Sequence, residues 1–346
     1  MRHIKDYNSA SPLLQLRFSS NWAARVVTDP RPSPGGVHYV EVGVESEGQR
    51  LDNFLIARLK GVPRTHIYRL LRKGEVRVNK GRARPDYRVK AGDSVRIPPV
   101  RMGTAATVAD PEVLATRFGW LEQRVLFEDE HLLVLDKPAG LAVHGGSGQS
   151  VGLIEALRGL RPHSPYLELA HRLDKETSGC LLIAKSRPAL LALHEALRGG
   201  EMTKTYLALV QGDFRGRNVM VDAALDRAKH GGGERRVQVV DDEEGKESAS
   251  RFSAMRHFAQ GTLVEITLFT GRTHQARVHA AHLGHAIAGD DKYGDHGFNR
   301  DLRAFGLKRL FLHAARLELR HPRSGAPLRF EAPLAEDLAT LLSRLQ

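Results

Sequence analysis

Residues 170–183 read Ala170-His171-Arg172-Leu173-Asp174-Lys175-Glu176-Thr177-Ser178-Gly179-Cys180-Leu181-Leu182-Ile183. A loop crowded with charges of both signs leads directly into an apolar strand. That placement suits a carboxylate held in a cleft and balanced by arginine, because lost hydration without a partner would instead protonate it. Other short apolar runs follow the same strand pattern: Val125-Phe127, Leu132-Leu135, Lys204-Val210, Leu263-Leu268 and Arg316-Leu319. No regular helical crossovers separate them, so residues 124–346 are expected to form an α+β domain on a mixed, mainly antiparallel sheet. Ser186-Arg187-Pro188 opens a helix whose Leu190, Leu191, Leu193 and Leu197 are expected to face a core, with Gly199-Gly200 as its exit. A last helix is expected near Glu336-Leu345. The polar segment Arg227 to Glu247, with Gly231-Gly232-Gly233, reads as an exposed excursion.

A second constellation follows the strand Val264-Phe269: Thr270-Gly271-Arg272-Thr273-His274-Gln275-Ala276-Arg277-Val278-His279. Two arginines, a glutamine and two histidines offer more donors than a surface loop needs. A fold that brings this loop beside Asp174 would hold a nucleophile, its counter-ion and phosphate contacts. His274, His279, His282 and His285 also admit a metal reading, against which stand the single cysteine and the lack of a paired-histidine zincin pattern. Gly145-Gly146-Ser147-Gly148 lacks the Lys-Ser/Thr ending of a nucleotide loop and reads as a turn or a substrate-backbone loop. Gly289-Asp290-Asp291-Lys292-Tyr293-Gly294 reads as a structured turn rather than an acidic metal site. Cys180, with no base beside it in sequence, reads as packing.

At 346 residues the chain is long enough for one large core and a smaller one. Its longest apolar runs, such as Leu132-Leu135, fall far short of the ~18 residues of a membrane span. One cysteine cannot form an internal disulfide, and the amino terminus is charged and Pro-rich, so a reducing, cytoplasmic setting is expected. The net charge of +12 points to a polyanionic partner. From Glu47 to Arg101 there are 15 Lys and Arg against five Asp and Glu, so nearly all of the excess belongs to one module.

That module, residues 37–101, is expected to be a small basic α/β domain. Leu51, Phe54, Leu55 and Leu59 recur at helical spacing; Ile67, Leu70 and Leu71 imply a second helix that Gly74 stops. Glu75-Val78 and Ser94-Ile97 read as strands, with turns at Asn79-Gly81 and Val89-Asp93. Arg64, Arg69, Arg72, Lys73, Arg77, Lys80, Arg82 and Arg84 would form a phosphate-contacting face, the alternative being a solvated charged surface. With few aromatic residues here, recognition of folded RNA by shape and phosphates fits better than base stacking. Residues 1–36 read as a disordered tail and residues 102–123 as a linker with a short helix.

The stretch His171-Gly179 resembles a signature of the large-ribosomal-subunit branch of the pseudouridine synthases. So do Gly271-His279, with His282-Leu283-Gly284-His285 and Gly289-Asp290, and the opening Glu128-Leu141. The basic module is similar to the RNA-binding domain named after a small-subunit ribosomal protein, and the resemblance covers Val37 to the end. It implies that Asp174 is the catalytic aspartate, Arg277 its paired arginine and Tyr206 the active-site tyrosine. It also implies that Arg172 takes part in base flipping, while Arg272, His274 and Gln275, as donors of the second loop, are expected to contact RNA. The implied reaction converts uridine in place to its carbon-linked isomer and needs no cofactor. The implied substrate is 23S ribosomal RNA, modified at several sites during large-subunit assembly; a monomer with no obligate protein partner is expected, since RNA supplies the large partner surface. Two other classes remain to be separated from this reading. A non-catalytic RNA-binding protein would be indifferent to Asp174, and a glycoside hydrolase would need a second carboxylate and release free base.

Overall fold

The spacing of Leu51, Phe54 and Leu55, and then of Ile67, Leu70 and Leu71, puts apolar side chains on one stripe of two successive helices, and all six are buried. These are α1 (Leu51–Arg58) and α2 (Arg64–Lys73). They close on a sheet of four short strands: β1 (His38–Glu41), β2 (Arg77–Val78), β3 (Gly81–Arg82) and β4 (Ser94–Ile97), in the order β1-β4-β2-β3 and antiparallel throughout. Val76, Val78, Val89 and Val95 complete this core. Asn79 and Lys80, both at positive φ, make the two-residue turn between β2 and β3. Asn79 is fixed there by donating from Nδ2 to Asp93 at 2.8 Å while its Oδ1 accepts from the Ser94 amide.

The computed structural model describes residues 36–59, 62, 64–100, 111–145, 151–164, 166–228, 236–240 and 245–345. The expected tail up to residue 35, the first part of the expected linker, Gly146 to Gly148 and Gly231 to Gly233 lie outside these residues. The remainder of the expected linker is helical: α3 (Pro111–Phe118) and a 3-10 turn, Gly119–Arg124.

Beyond it come β5 (Val125–Glu128), β6 (Leu132–Lys137), α4 (Leu153–Leu160), β7 (Glu168–Leu169), β8 (Ser178–Ala184), α5 (Arg187–Arg198) and β9 (Thr203–Gln211). The chain continues through β10 (Val219–Asp222), β11 (Ala224–Ala228), β12 (Arg236–Val240), β13 (Ala249–Phe258) and β14 (Gly261–Leu268). It ends with α6 (Gln275–His282), α7 (His296–Arg303), β15 (Leu312–Arg320), β16 (Pro327–Glu331) and α8 (Glu336–Arg344). The main sheet runs β10-β13-β14-β9-β15-β8-β6-β5, with β16 on β15 and β7 on β8. Among the described residues only the β8 and β15 pair is parallel, so the sheet is mixed and mainly antiparallel.

Alternation along the strands divides the core. Leu133, Leu135, Leu181, Ile183, Tyr206, Val264 and Ile266 face one side, packed with α4 and α6. Leu132, Val134 and Leu182 face the other side, against Leu193 of α5. Leu191 departs from expectation and is 51% exposed. Leu190, Leu193 and Leu197 form one stripe of α5, and Leu191 lies about 100° off it. Of the segment read as an exposed excursion, the side chains described are those of 236–240 and 245–247, among which Val237 alone is buried. β11 and β12 pair with each other, and Leu225 and Val237 pack on Val278 of α6. No helix among the described residues is long and apolar enough to cross a membrane.

The junction that sets the Asp174 loop in place is the parallel contact, where His313 lies opposite Ser178 and Ala314 opposite Gly179. Gly179 has φ +108, and a Cβ there would stand 2.2 Å from the Ala314 carbonyl oxygen. Both the backbone conformation and the space demand glycine. Gly179→Ala is expected to destabilise the chain by more than about 2 kcal/mol in urea unfolding, through strain and a forced separation of β8 from β15. Wild-type stability in that variant would show that the pairing can shift without cost.

Candidate active site

Leu173 is buried in the same core as Tyr206, Ala276 and Ala280, and this places the 171–177 loop, β9 and α6 on one face of the sheet. Asp174 sits there with its side chain 19% exposed. Its Oδ2 lies 3.4 Å from Arg277 Nη1 and 3.8 Å from His274 Nε2. No described residue donates a hydrogen bond to Oδ1.

Arg277 projects from the first turn of α6 and is anchored elsewhere. Its Nε and Nη2 donate to the two oxygens of Asp290, each at 2.7 Å. Asp290 is 1% exposed and also accepts from the amides of Lys292 and Tyr293. Burial opposes the charge of both groups. The hydrogen bonds and mutual charge outweigh it, holding the Asp290 carboxyl below its usual value and the Arg277 guanidinium above its own. The Arg277 guanidinium also lies over the Tyr293 ring, 5.0 Å from its centre.

His274 occupies the left-handed region at φ 58, immediately before α6. Its ring meets Tyr293 edge-on, and its Nδ1 lies 2.8 Å from the Tyr293 hydroxyl. That hydroxyl accepts from the Val237 amide of β12, so its proton is free to go to Nδ1. When it does, the neutral ring carries its own proton on Nε2, the atom facing Asp174.

Tyr206 is 7% exposed on β9. Burial pushes its phenol upward and the Asp174 charge adds to the shift, so the hydroxyl stays protonated. Lys137, fully buried at the end of β6, donates to the carbonyls of Pro138, Leu141 and Lys175 at 2.7, 2.9 and 3.0 Å. Its three protons thus tie the 138–141 turn to the residue following Asp174. Burial pushes the ammonium down to about 7, against the pull of Glu176 and Asp174. Lys204, likewise buried, donates to the Thr270 carbonyl at 3.1 Å and holds the start of the second loop.

The sequence-derived candidates divide into groups. Asp174, Arg277, His274 and Tyr206 come together. Arg172 is exposed on the 171–177 loop, with no ion-pair partner among the described residues. Arg272 is exposed on the second loop, donating to the Glu247 carbonyl. Gln275, expected at RNA, is 1% exposed. Its Oε1 accepts from Thr270 Oγ1 and the Arg272 amide, and its Nε2 donates to the Ala249 carbonyl and Ser250 Oγ. All four of its capacities are used inside the protein, so Gln275 frames the loop and has nothing left for a ligand. Arg69, Arg72, Lys73, Arg77, Lys80, Arg82 and Arg84 are exposed on the basic module; the Arg64 side chain lies outside the described residues.

His279 is enclosed between Ser248 Oγ and Ser250 Oγ, each at 2.9 Å, and His285 reaches the Gln211 carbonyl. Among the described residues no three metal-ligating side chains gather. The Gly145 amide is bound to Glu155. Cys180 lies in the core, its thiol pushed up to about 12 by burial. Sequence reading missed the roles of Lys137, Asp290 and Tyr293. The available signal for Lys137 was a lone lysine closing an apolar strand just before Pro138.

The family profile for RNA pseudouridylate synthase matches residues 131–282, and that for the S4 domain matches residues 49–95. The chain is 51% identical over 312 residues to the ribosomal large subunit pseudouridine synthase C of Escherichia coli, covering 90% of this chain and 97% of that protein. It is 50% identical over 310 residues to the protein of the same name from Pasteurella multocida, covering 90% and 94%. Among solved structures it resembles human RNA pseudouridylate synthase domain containing 4, with TM-score 0.54, 26% identity, and coverage of 68% of this chain and 97% of that one.

Two variants test the supports of Asp174. Asp290→Asn removes the bidentate charge partner of the buried Arg277, leaving only the looser contact to Asp174, and is expected to cost about 3 kcal/mol of stability, with kcat falling further than RNA affinity. An unchanged kcat would show that Arg277 needs no anchor. Lys137→Met tests the linkage. A lysine near 7 in the folded chain and 10.5 unfolded opposes folding fully below 7, and that opposition fades as pH rises toward 10.5. The stability advantage of wild type over Lys137→Met should therefore widen between about pH 7 and pH 10 in matched denaturant titrations, whereas a flat difference would place the amine at its ordinary value.

Proposed function

The chain belongs to the RNA pseudouridylate synthase family, and from that premise we propose that it isomerises uridines of 23S ribosomal RNA with Asp174 as the reacting carboxylate. The observation that carries this reading is the asymmetry at Asp174: Oδ2 faces Arg277 and His274, while Oδ1 receives no hydrogen bond from the described residues. One oxygen is steadied and the other is available to substrate.

The reaction breaks the bond between the ribose anomeric carbon and N1, turns the uracil, and joins carbon 5 to the same ribose carbon. Carbon 5 loses a proton and N1 gains one, so mass is unchanged and no electrons are exchanged with another molecule. Asp174 serves either by attacking the anomeric carbon, by assisting base departure and deprotonation along a glycal-like path, or by attacking carbon 6 of the ring. Arg277 fixes the carboxylate and balances its charge. Tyr206 supplies a ring for the uracil to pack on and a neutral hydroxyl able to pass a proton, consistent with its burial.

A uridine in stacked or paired RNA must leave its stack before any of this can happen. Arg172, exposed on the loop that carries Asp174, is suited to fill the vacated space. Arg272 and the exposed cations of the basic module act as phosphate contacts, which position the RNA without reading its sequence. The reading includes a monomer acting in the cytoplasm without a cofactor or protein partner.

Asp174→Asn preserves shape and removes the charge. It is expected to abolish isomerisation in single-turnover assays while the chain still folds and binds ribosomal RNA. Substantial turnover by this variant, or release of free uracil by the unaltered chain, would sink the proposal.

A further inference from the structure

The register of the small sheet aligns Tyr39 with Arg96, Arg96 with Arg77, and Arg77 with Arg82. One transverse row thus crosses all four strands and carries a tyrosine followed by three arginines. At about 4.8 Å between strands it spans about 14 Å. Val40, Val95 and Val78, one residue along each of three strands, turn to the other face and pack into the helix-covered core. The row is therefore on the face that the helices leave open. Tyr39 is 67% exposed. A concave surface of about 490 Å³ lies there, lined by Tyr39, Lys73, Glu75, Arg77, Lys80 and Arg96.

Like charges directly opposite one another weaken a sheet. The carbonyls at the end of α2 answer only part of this. Arg96 Nη1 donates to the Glu75 carbonyl at 2.6 Å, and Arg77 Nε makes a 3.4 Å contact with the Gly74 carbonyl. Each guanidinium retains most of its five donors. Three arginines in register, of which Arg77 and Arg96 line a cleft whose one acid is Glu75, suit a polyanion, and an exposed aromatic ring at the end of the row suits a polyanion that carries flat bases.

We propose that this open sheet face is an RNA-binding site in which Arg96, Arg77 and Arg82 contact consecutive phosphates of an unpaired segment and Tyr39 stacks on one of its bases. The inference rests on the reading that the substrate is RNA. It adds single-strand recognition through Tyr39 and Arg96 to a module otherwise expected to read only the shape and phosphates of folded RNA.

The test uses the full chain and two fluorescent RNA probes, a blunt hairpin and the same hairpin with a single-stranded extension. Tyr39→Ala should weaken binding of the extended probe about 5- to 100-fold, leave the blunt probe unaffected, and keep the salt slope. Tyr39→Phe should bind as the unaltered chain does. Arg96→Gln should weaken binding, reduce the salt slope by about 0.7, and leave thermal stability equal or higher because a repulsion is relieved. Equal affinities for Tyr39→Ala and the unaltered chain would overturn the stacking role. An Arg96→Gln variant that melts earlier yet keeps affinity and slope would make the arginine a structural cap. Isomerisation by the unaltered chain, measured separately, tests the underlying reading on its own.

Discussion

Arg277 gives one edge of its guanidinium to Asp290, with two bonds of 2.7 Å, and only a remaining nitrogen approaches Asp174, at 3.4 Å. The difference in length is a division of labour. A carboxylate gripped as tightly as Asp290 could not change partners during a reaction, because leaving a buried bidentate pair costs several kcal/mol. A carboxylate with no cation nearby would lose its charge on burial. Asp174 falls between these limits because Asp290 fixes the guanidinium first and leaves it oriented for a second, looser contact.

The same logic extends outward from the carboxylate. Three buried polar side chains hold the two loops: Lys137 across three carbonyls, Lys204 on the Thr270 carbonyl, and Gln275 with every hydrogen-bonding capacity used. Buried polar groups are costly unless satisfied, and here their satisfaction is what shapes the loops. His274 is held through a still more distant group. The Val237 amide donates to the Tyr293 hydroxyl, which lies 2.8 Å from Nδ1, so a strand outside the quoted motifs helps to hold the ring that faces Asp174.

Much of this was legible in the chain because the relevant signals are local. Short apolar runs located β6, β8, β9 and β14, and charge density before a strand located Asp174. What escaped depended on partners distant in sequence. Gln275 reads as a ligand contact when its neighbours are Arg272 and Arg277, yet its burial is decided by the carbonyl of Ala249 and the hydroxyl of Ser250 on β13. Asp290 lies in a glycine-flanked turn that looks self-contained, and nothing local indicates that its charge serves an arginine in the preceding helix. Leu191 was misplaced because a leucine-rich helix offers two adjacent stripes, and only the sheet beneath selects one. The docking of the β11 and β12 pair on α6 was not legible because its polar residues outnumber Leu225 and Val237, the two that decide it.

The basic module poses the opposite problem, since its charge was obvious and its geometry was not. Composition places about fifteen cations in the module, but only strand register shows that three of them stand in one transverse row. Scattered cations add to an overall field, which attracts any polyanion and falls away with salt. A row at strand spacing has a direction as well as a charge. The small core beneath, from Leu51 to Ile97, must hold these repelling groups in alignment, and Asp93 and Asn79 pin the turn that sets the β2 and β3 register. In both modules, then, buried hydrogen bonds fix where exposed charge is presented: a single loosely held carboxylate in the large one, and an ordered line of guanidinium groups in the small one.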